Sequence, residues 1–216
     1  MDALLSPAPP KGGLETEAPG SYAWRFRHLP TLGTKRLILR KVRLRDARAL
    51  YAYAQDPEVS RHVLWTAHQG LWESRAFIRQ LRRQYRLGLP ATFGIEDRET
   101  GQLIGTIGFM NLSQEHRCAE VGYSLARSQW NHGLMTEALK AVLRYAFQTL
   151  QLNRVEAIHE VDNPASGKVM EKAGMKPEGI LRGKIYNKGR WSDVRIWAIL
   201  REEWEQRQEG ESDVQL

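Results

Sequence analysis

Hydrophobic and polar residues along this chain follow two periods. In "RLILRKV" (36–42) they alternate singly, the mark of a strand with one buried face. "DARALYAYAQD" (46–56) starts on Asp46, a capping residue type, and keeps helical spacing up to Pro57. "ESRAFIRQLRRQYRLG" (73–88) repeats that spacing and stops on Gly88. "ATFGIEDRETGQLIGTIGFMNL" (91–112) reads as two strands around a turn at Gly101, and "RCAEVGYSLA" (117–126) as a third. A long helix follows at about 134–150, with Leu139, Val142, Leu143, Ala146 and Leu150 on one stripe. "RVEAIHEV" (154–161) is a strand. "PASGKVMEKAG" (164–174) is a short helix with Pro164 in its first turn and Gly174 past its end. Strands at about 177–186 and 191–200 flank the turn "NKGR". An antiparallel meander therefore runs into a β-α-β unit, giving an α+β fold: a mixed sheet of about seven strands with helices on both faces.

The ends differ from this middle. Residues 1–30 begin rich in Pro and Gly and read as a flexible extension, although "YAWRFRHLP" (22–30) is apolar enough to pack on something. Residues 31–204 form one domain, and 205–216 an acidic tail expected to fray. The net charge of +7 is uneven: 1–30 is neutral, 202–216 carries −5, and the core carries +12, which attracts phosphates, acidic cofactors or nucleic acid. No apolar run reaches the ~18–20 residues of a membrane span, and the first residues lack the pattern of a signal peptide. Cys118 is the single cysteine, so an internal disulfide and a four-cysteine metal site are excluded. It reads as a small buried strand residue, and the chain as cytoplasmic.

The long helix at 134 poses a local problem. No Ser, Asp or Asn stands directly before it to cap its free N–H groups, and the loop "WNHGLMT" (Trp130–Thr136) holds Gly133. A glycine loop opening a helix presents outward N–H donors at the positive end of the dipole, a geometry that accepts phosphate oxygens. A water-capped helix is the plain alternative. The loop is no Walker motif, because no Gly-Lys-Ser/Thr follows, and no dinucleotide fingerprint, because further glycines are missing.

"AEVGYSLARSQWNHGLMTEAL" resembles the acetyl-CoA-binding motif of the GNAT N-acetyltransferases, and "VDNPASGKVMEKAGMKPEGILR" resembles the next motif of their ribosomal-protein (RimJ/RimL-like) branch. The likeness covers about residues 34–201. Trp130, Gly133 and Met135 take the three marked positions of the family loop; Trp130, Met135 and Asn131 depart from its general pattern. The resemblance implies that acetyl-CoA is held by Tyr123, Leu125, Trp130, Asn131, His132, Gly133, Leu134, Met135 and Thr136, and by Asn163 and Ser166. It also implies a primary-amine acceptor, a protein or peptide N-terminus such as a ribosomal one, and puts a second copy of the chain among the expected partners.

Acetyl transfer to an amine needs a base, a donor for the carbonyl oxygen and an acid for the leaving thiolate. Strand alternation puts Cys118, Glu120, Gly122 and Ser124 on one face. Glu120, a charge inside an apolar strand, is the candidate base, and a structural pair with Arg117 or Arg154 is its alternative role. Ser166 is the candidate acid, while Asn163 also suits the N-cap of the helix at Pro164. By resemblance, a backbone N–H near Leu125 faces the oxyanion. Glu178 is a second acidic candidate and reads more simply as a turn residue. Trp65, His68 and Trp72 lie where an acceptor wall is expected and are equally suited to packing. No metal is expected, since the six histidines lack zinc spacing. A small amine substrate, a non-catalytic acyl-CoA sensor and a basic RNA- or ribosome-binding module, the last resting on "RQLRRQYR" (79–86), stay open as alternatives.

Overall fold

The computed structural model describes residues 20–213. Its elements are α1 (Tyr22–Arg27), β1 (Leu32–Gly33), β2 (Leu37–Lys41), α2 (Ala47–Ala54), α3 (Pro57–Ser60), α4 (Leu71–Leu87), β3 (Thr92–Asp97), β4 (Leu103–Ser113), β5 (Cys118–Leu125), α5 (Leu134–Arg144), β6 (Arg154–Glu160), α6 (Pro164–Ala173), β7 (Lys176–Asn187), β8 (Arg190–Leu200) and α7 (Arg201–Asp213). One eight-stranded sheet runs β1-β2-β3-β4-β5-β6-β8-β7. Its pairs are antiparallel except β5–β6, which α5 connects as a crossover. The strand beyond the expected seven is β1, two residues set against Leu39 and Ile38, too short for any period to show.

The period of two sorts β3, β4 and β5 onto two faces. Phe93, on one, meets Tyr145 edge-on at 5.8 Å, just after α5. Thr106 and Ser124, on the other, lie with their hydroxyls 3.2 Å apart beside Tyr53 of α2. The predicted stripe of Leu139, Val142, Leu143, Ala146 and Leu150 is buried throughout. The helix changes character after Arg144. Tyr145–Thr149 forms one wider turn, in which the Leu150 N–H reaches the Tyr145 carbonyl at 3.0 Å.

Three expectations need correction. The first-thirty extension is not uniform: Ser21 caps α1 through the Trp24 N–H, and Phe26 is fully buried against Phe109, 5.8 Å between rings. Residues 1–19 lie outside the described part. The acidic end does not fray at Trp204, because α7 continues to Asp213 and Trp204 packs on Phe147 at 5.5 Å; residues 214–216 are not described. Asp46 does not cap α2 with its side chain. Its carboxylate turns back to accept from Arg40 Nη1 and Nη2, at 2.7 and 2.9 Å, because a buried guanidinium needs a countercharge.

Gly88 ends α4 in the left-handed conformation, φ 65°, and any methyl there would collide with the Ala23 carbonyl oxygen of α1. Gly88→Ala is expected to cost about 1–2 kcal/mol from backbone conformation alone, before the collision is counted. Urea unfolding reads the loss.

Candidate functional site

β5 and β6 form a fork. Their ladder holds three residue pairs, from Cys118↔Arg154 to Glu120↔Glu156. β5 then continues to Leu125 against β4, and β6 continues to Glu160 against β8. Among the described residues the facing edges beyond Glu120 have no partner in the sheet, so a slot opens with Glu120 at its vertex.

A bulge aims a polar group at that vertex. Between the pairs Phe109↔Val121 and Leu112↔Ala119, β4 spends one residue more than β5. The Asn111 amide thereby donates to Glu120 Oε2 at 3.0 Å. Burial pushes the Glu120 carboxyl up, and the Glu156 charge adds to this against the Asn111 bond and Lys184. A cavity of about 360 Å³ borders the two glutamates, with Asn111, Leu112, Ser113 and Cys118. Cys118 is half-buried and faces this cavity, so it is not the fully buried strand residue expected; burial raises its thiol. Arg154 does not pair with Glu120. It bonds Glu156 at 2.6 Å and Glu178 at 2.8 Å. Glu178 is therefore an ion-paired residue of β7, not a turn residue.

Beyond the open end of β5 the chain takes one short turn at Arg127–Gln129 and reaches α5. The Trp130 indole donates to the Leu125 carbonyl at 2.8 Å, tying the loop to the strand end. Asn131 and Gly133 are both left-handed, at φ 64° and 74°. Gly133 N-caps α5 with no side-chain hydrogen bond, so the question raised by the missing cap is answered by an open cap. A left-handed residue followed by the right-handed Leu134 turns successive N–H groups to one concave side, a shape that takes an anion. Leu134 and Met135 are buried and contribute backbone to the loop.

On the far side of the slot, Asn163 caps α6 through the Ser166 N–H at 3.4 Å. Ser166 Oγ lies 2.9 Å from the Tyr123 hydroxyl, which also donates to the Ser166 carbonyl at 3.1 Å. Burial drives the Tyr123 phenol strongly up, so it keeps its proton. Glu120 and Tyr123 leave β5 by opposite faces: Glu120 meets Asn111 of β4, and Tyr123 meets Ser166 of α6. The structure does not bring Glu120 and Ser166 into contact; they flank the slot.

The three acceptor candidates separate. Trp65 packs on the core with its ring tilted against His68, 5.6 Å between rings. His68 Nδ1 bonds Ser74 Oγ at 2.8 Å, and burial lowers its pKa, so it is a neutral structural contact. Trp72 is 66% exposed on the first turn of α4.

A polar seam escaped the sequence. Buried Glu160 takes bonds from His62 (2.8 Å), Asn187 (3.1 Å) and Arg190 (3.2 Å), and Arg190 also holds Asp162 at 2.9 Å. The histidine expected to stand apart thus joins two carboxylates, all three donor atoms within 4.8 Å. Arg190 bridges the two carboxylates, and the seam ties the loop after α3 to β6. No spacing rule links residues 62, 160 and 190. Among the described residues no helix is long and apolar enough to cross a membrane.

Comparison with known proteins matches residues 36–176 to the acetyltransferase (GNAT) domain family. The chain is 36% identical over 172 residues to an uncharacterized N-acetyltransferase, YoaA, of Bacillus subtilis, covering 80% of this chain and 97% of that one. It is 29% identical to the [ribosomal protein uS5]-alanine N-acetyltransferase of Escherichia coli, over 80% and 92% of the two chains. Among solved structures it resembles Mycobacterium smegmatis RimJ in complex with CoA-disulfide, with TM-score 0.74, 28% identity, and 81% and 88% coverage.

Proposed function

The chain belongs to the GNAT acetyltransferase family, and from that premise we propose that it acetylates the N-terminal amine of a peptide or protein, using acetyl-CoA in a ternary complex. The observation that carries the reading is the slot between β5 and β6, with a half-buried carboxylate at its vertex and an open-capped helix at its mouth. The residues fit the coenzyme that the family uses. Gly133 to Thr136 offer backbone N–H groups to a diphosphate, and the free edge of β5 near Leu125 suits the amide arm of pantetheine. Bound there, the coenzyme supplies an activated acyl group as a thioester.

The remaining work falls to the protein. Glu120 accepts the proton that an acceptor ammonium must lose, directly or through water, and its raised pKa brings it nearer that task. A backbone N–H at the free edge of β5 faces the developing oxyanion. Ser166 offers its hydroxyl proton on the other flank, with its Oγ held 2.9 Å from the Tyr123 hydroxyl. Exposed Trp72 forms an outer wall against the acceptor chain. The E. coli relative acts on a ribosomal-protein alanine, which supports an N-terminal rather than a small-molecule acceptor.

Release of free thiol from acetyl-CoA tests this directly. Peptides with a free N-terminus are expected to release it, and the same peptides blocked at the N-terminus are not. Release with polyamines or aminoglycosides alone contradicts the acceptor assignment. Ser166→Ala is expected to lower kcat by about tenfold, a modest loss because a thiolate with a pKa near ~8.5 leaves readily without full protonation. An unchanged kcat assigns the proton to water.

A further inference from the structure

Two segments distant in sequence, 34–36 and 132–137, meet at the start of α5. Glu137, in its first turn, accepts from the Thr34 hydroxyl at 2.6 Å and from the Arg36 backbone N–H at 2.8 Å, both on Oε1. Its Oε2 accepts from Arg36 Nε at 2.7 Å. The same guanidinium donates through Nη1 to the His132 carbonyl at 2.9 Å. That carbonyl lies between the two left-handed residues, Asn131 and Gly133. In a trans peptide unit C=O and N–H point opposite ways. Holding the His132 oxygen therefore turns the Gly133 N–H to the other side of the loop. Glu137 is 18% exposed and Arg36 45%, and four hydrogen bonds, two of them to backbone groups, hold the pair as a brace.

We propose that Arg36 and Glu137 are positioning residues for the coenzyme: they set the His132–Gly133 peptide so that the loop faces the diphosphate before it arrives. The proposal rests on the reading of residues 130–136 as the diphosphate loop. It also explains why an acid stands beside a site meant for an anion. Glu137 acts on the ligand through Arg36, and the cost of its negative charge is offset by the order it imposes.

The sign of one effect separates this brace from plain electrostatics. Removing a negative charge beside an anion site strengthens anion binding when charge acts only through space. The brace demands the opposite. In a calorimetric titration with CoA, Glu137→Gln is expected to bind about tenfold more weakly, the loss of a charge-assisted bond. Arg36→Lys is expected to weaken binding similarly, because an ammonium keeps the charge and loses the fork that spans Glu137 and His132. KM for acetyl-CoA rises in step, while kcat at saturation stays within about twofold, since the brace acts before chemistry. CoA binding by either folded variant as tight as wild type, or tighter, overturns the proposal; should one variant not fold, the other decides. Failure of the wild-type protein itself to bind CoA is a different result: it removes the loop's assignment, and with it both readings.

Discussion

Glu120→Gln is expected to lower kcat/KM for acetyl transfer by about 100-fold, within the range of a positioned general base, while leaving CoA affinity unchanged and the fold no less stable, since burial already disfavours the charge removed. Glutamine keeps the size of the side chain and a carbonyl oxygen for the Asn111 amide, so the vertex of the slot is preserved. Only the titratable function is lost. The pH profile carries the sharper signature. Burial raises the Glu120 carboxyl first, and Glu156 adds to it, so the wild-type rate climbs through an inflection above the ordinary glutamate range as Glu120 loses its proton. In the variant that limb disappears. What stays is the limb of the acceptor amine, near about 7.7–8 for a free α-amino group. A profile with both limbs intact in the variant shows that Glu120 is not the base.

Arg40→Leu is expected to destabilise the fold by about 3–5 kcal/mol, the usual cost of removing one member of a buried ion pair. Arg40 is 5% exposed and holds two carboxylates: Asp46 through both terminal nitrogens and Glu96 through Nε at 2.6 Å. Leucine would leave the buried Asp46 and the half-buried Glu96 without a countercharge, next to the turn that launches α2. Replacing Arg40, Asp46 and Glu96 together with apolar residues of similar volume is expected to cost far less, since no charge is then stranded. The pH dependence follows from Asp46. Burial pushes its carboxyl up, but the Arg40 bonds and the Arg43 N–H outweigh that and hold it below its ordinary value. A depressed folded-state pKa means the stabilisation is complete above the unfolded value and is lost as pH falls through the folded one. Acid unfolding of the wild type should therefore show this contribution, and the triple variant should lack it. Equal stability of Arg40→Leu and wild type contradicts the assignment.

Much of the frame was legible because it rests on period and punctuation. The alternation in 36–42 and 117–126, the stripe from Leu139 to Leu150, and the Pro164 and Gly174 boundaries all record which face is buried and where backbone conformation must change. The open cap at Gly133 was legible for the same reason: the residue that would fill it is absent. The features that shape the site were not. The bulge that turns Asn111 toward Glu120 depends on register between two strands, and nothing in "FMNL" marks it. The Tyr123–Ser166, Arg36–Glu137 and His62–Glu160 contacts each join residues 43 to 101 positions apart, so they exist only once the sheet has been assembled. Asp46 shows the limit from the other side. Its position before a helix suggested a cap, but a buried arginine four residues into β2 had the stronger claim on its charge.

The central claim is that backbone amides opening α5 grip the diphosphate of coenzyme A. An amide-resolved NMR titration of the labelled protein with CoA reads those groups one by one. The largest shifts are expected on the N–H signals of residues 131–136, saturating together with the signals lining the β5–β6 slot. Saturation of the protein by CoA with those amides unmoved, and the shifts gathered elsewhere, would contradict the claim.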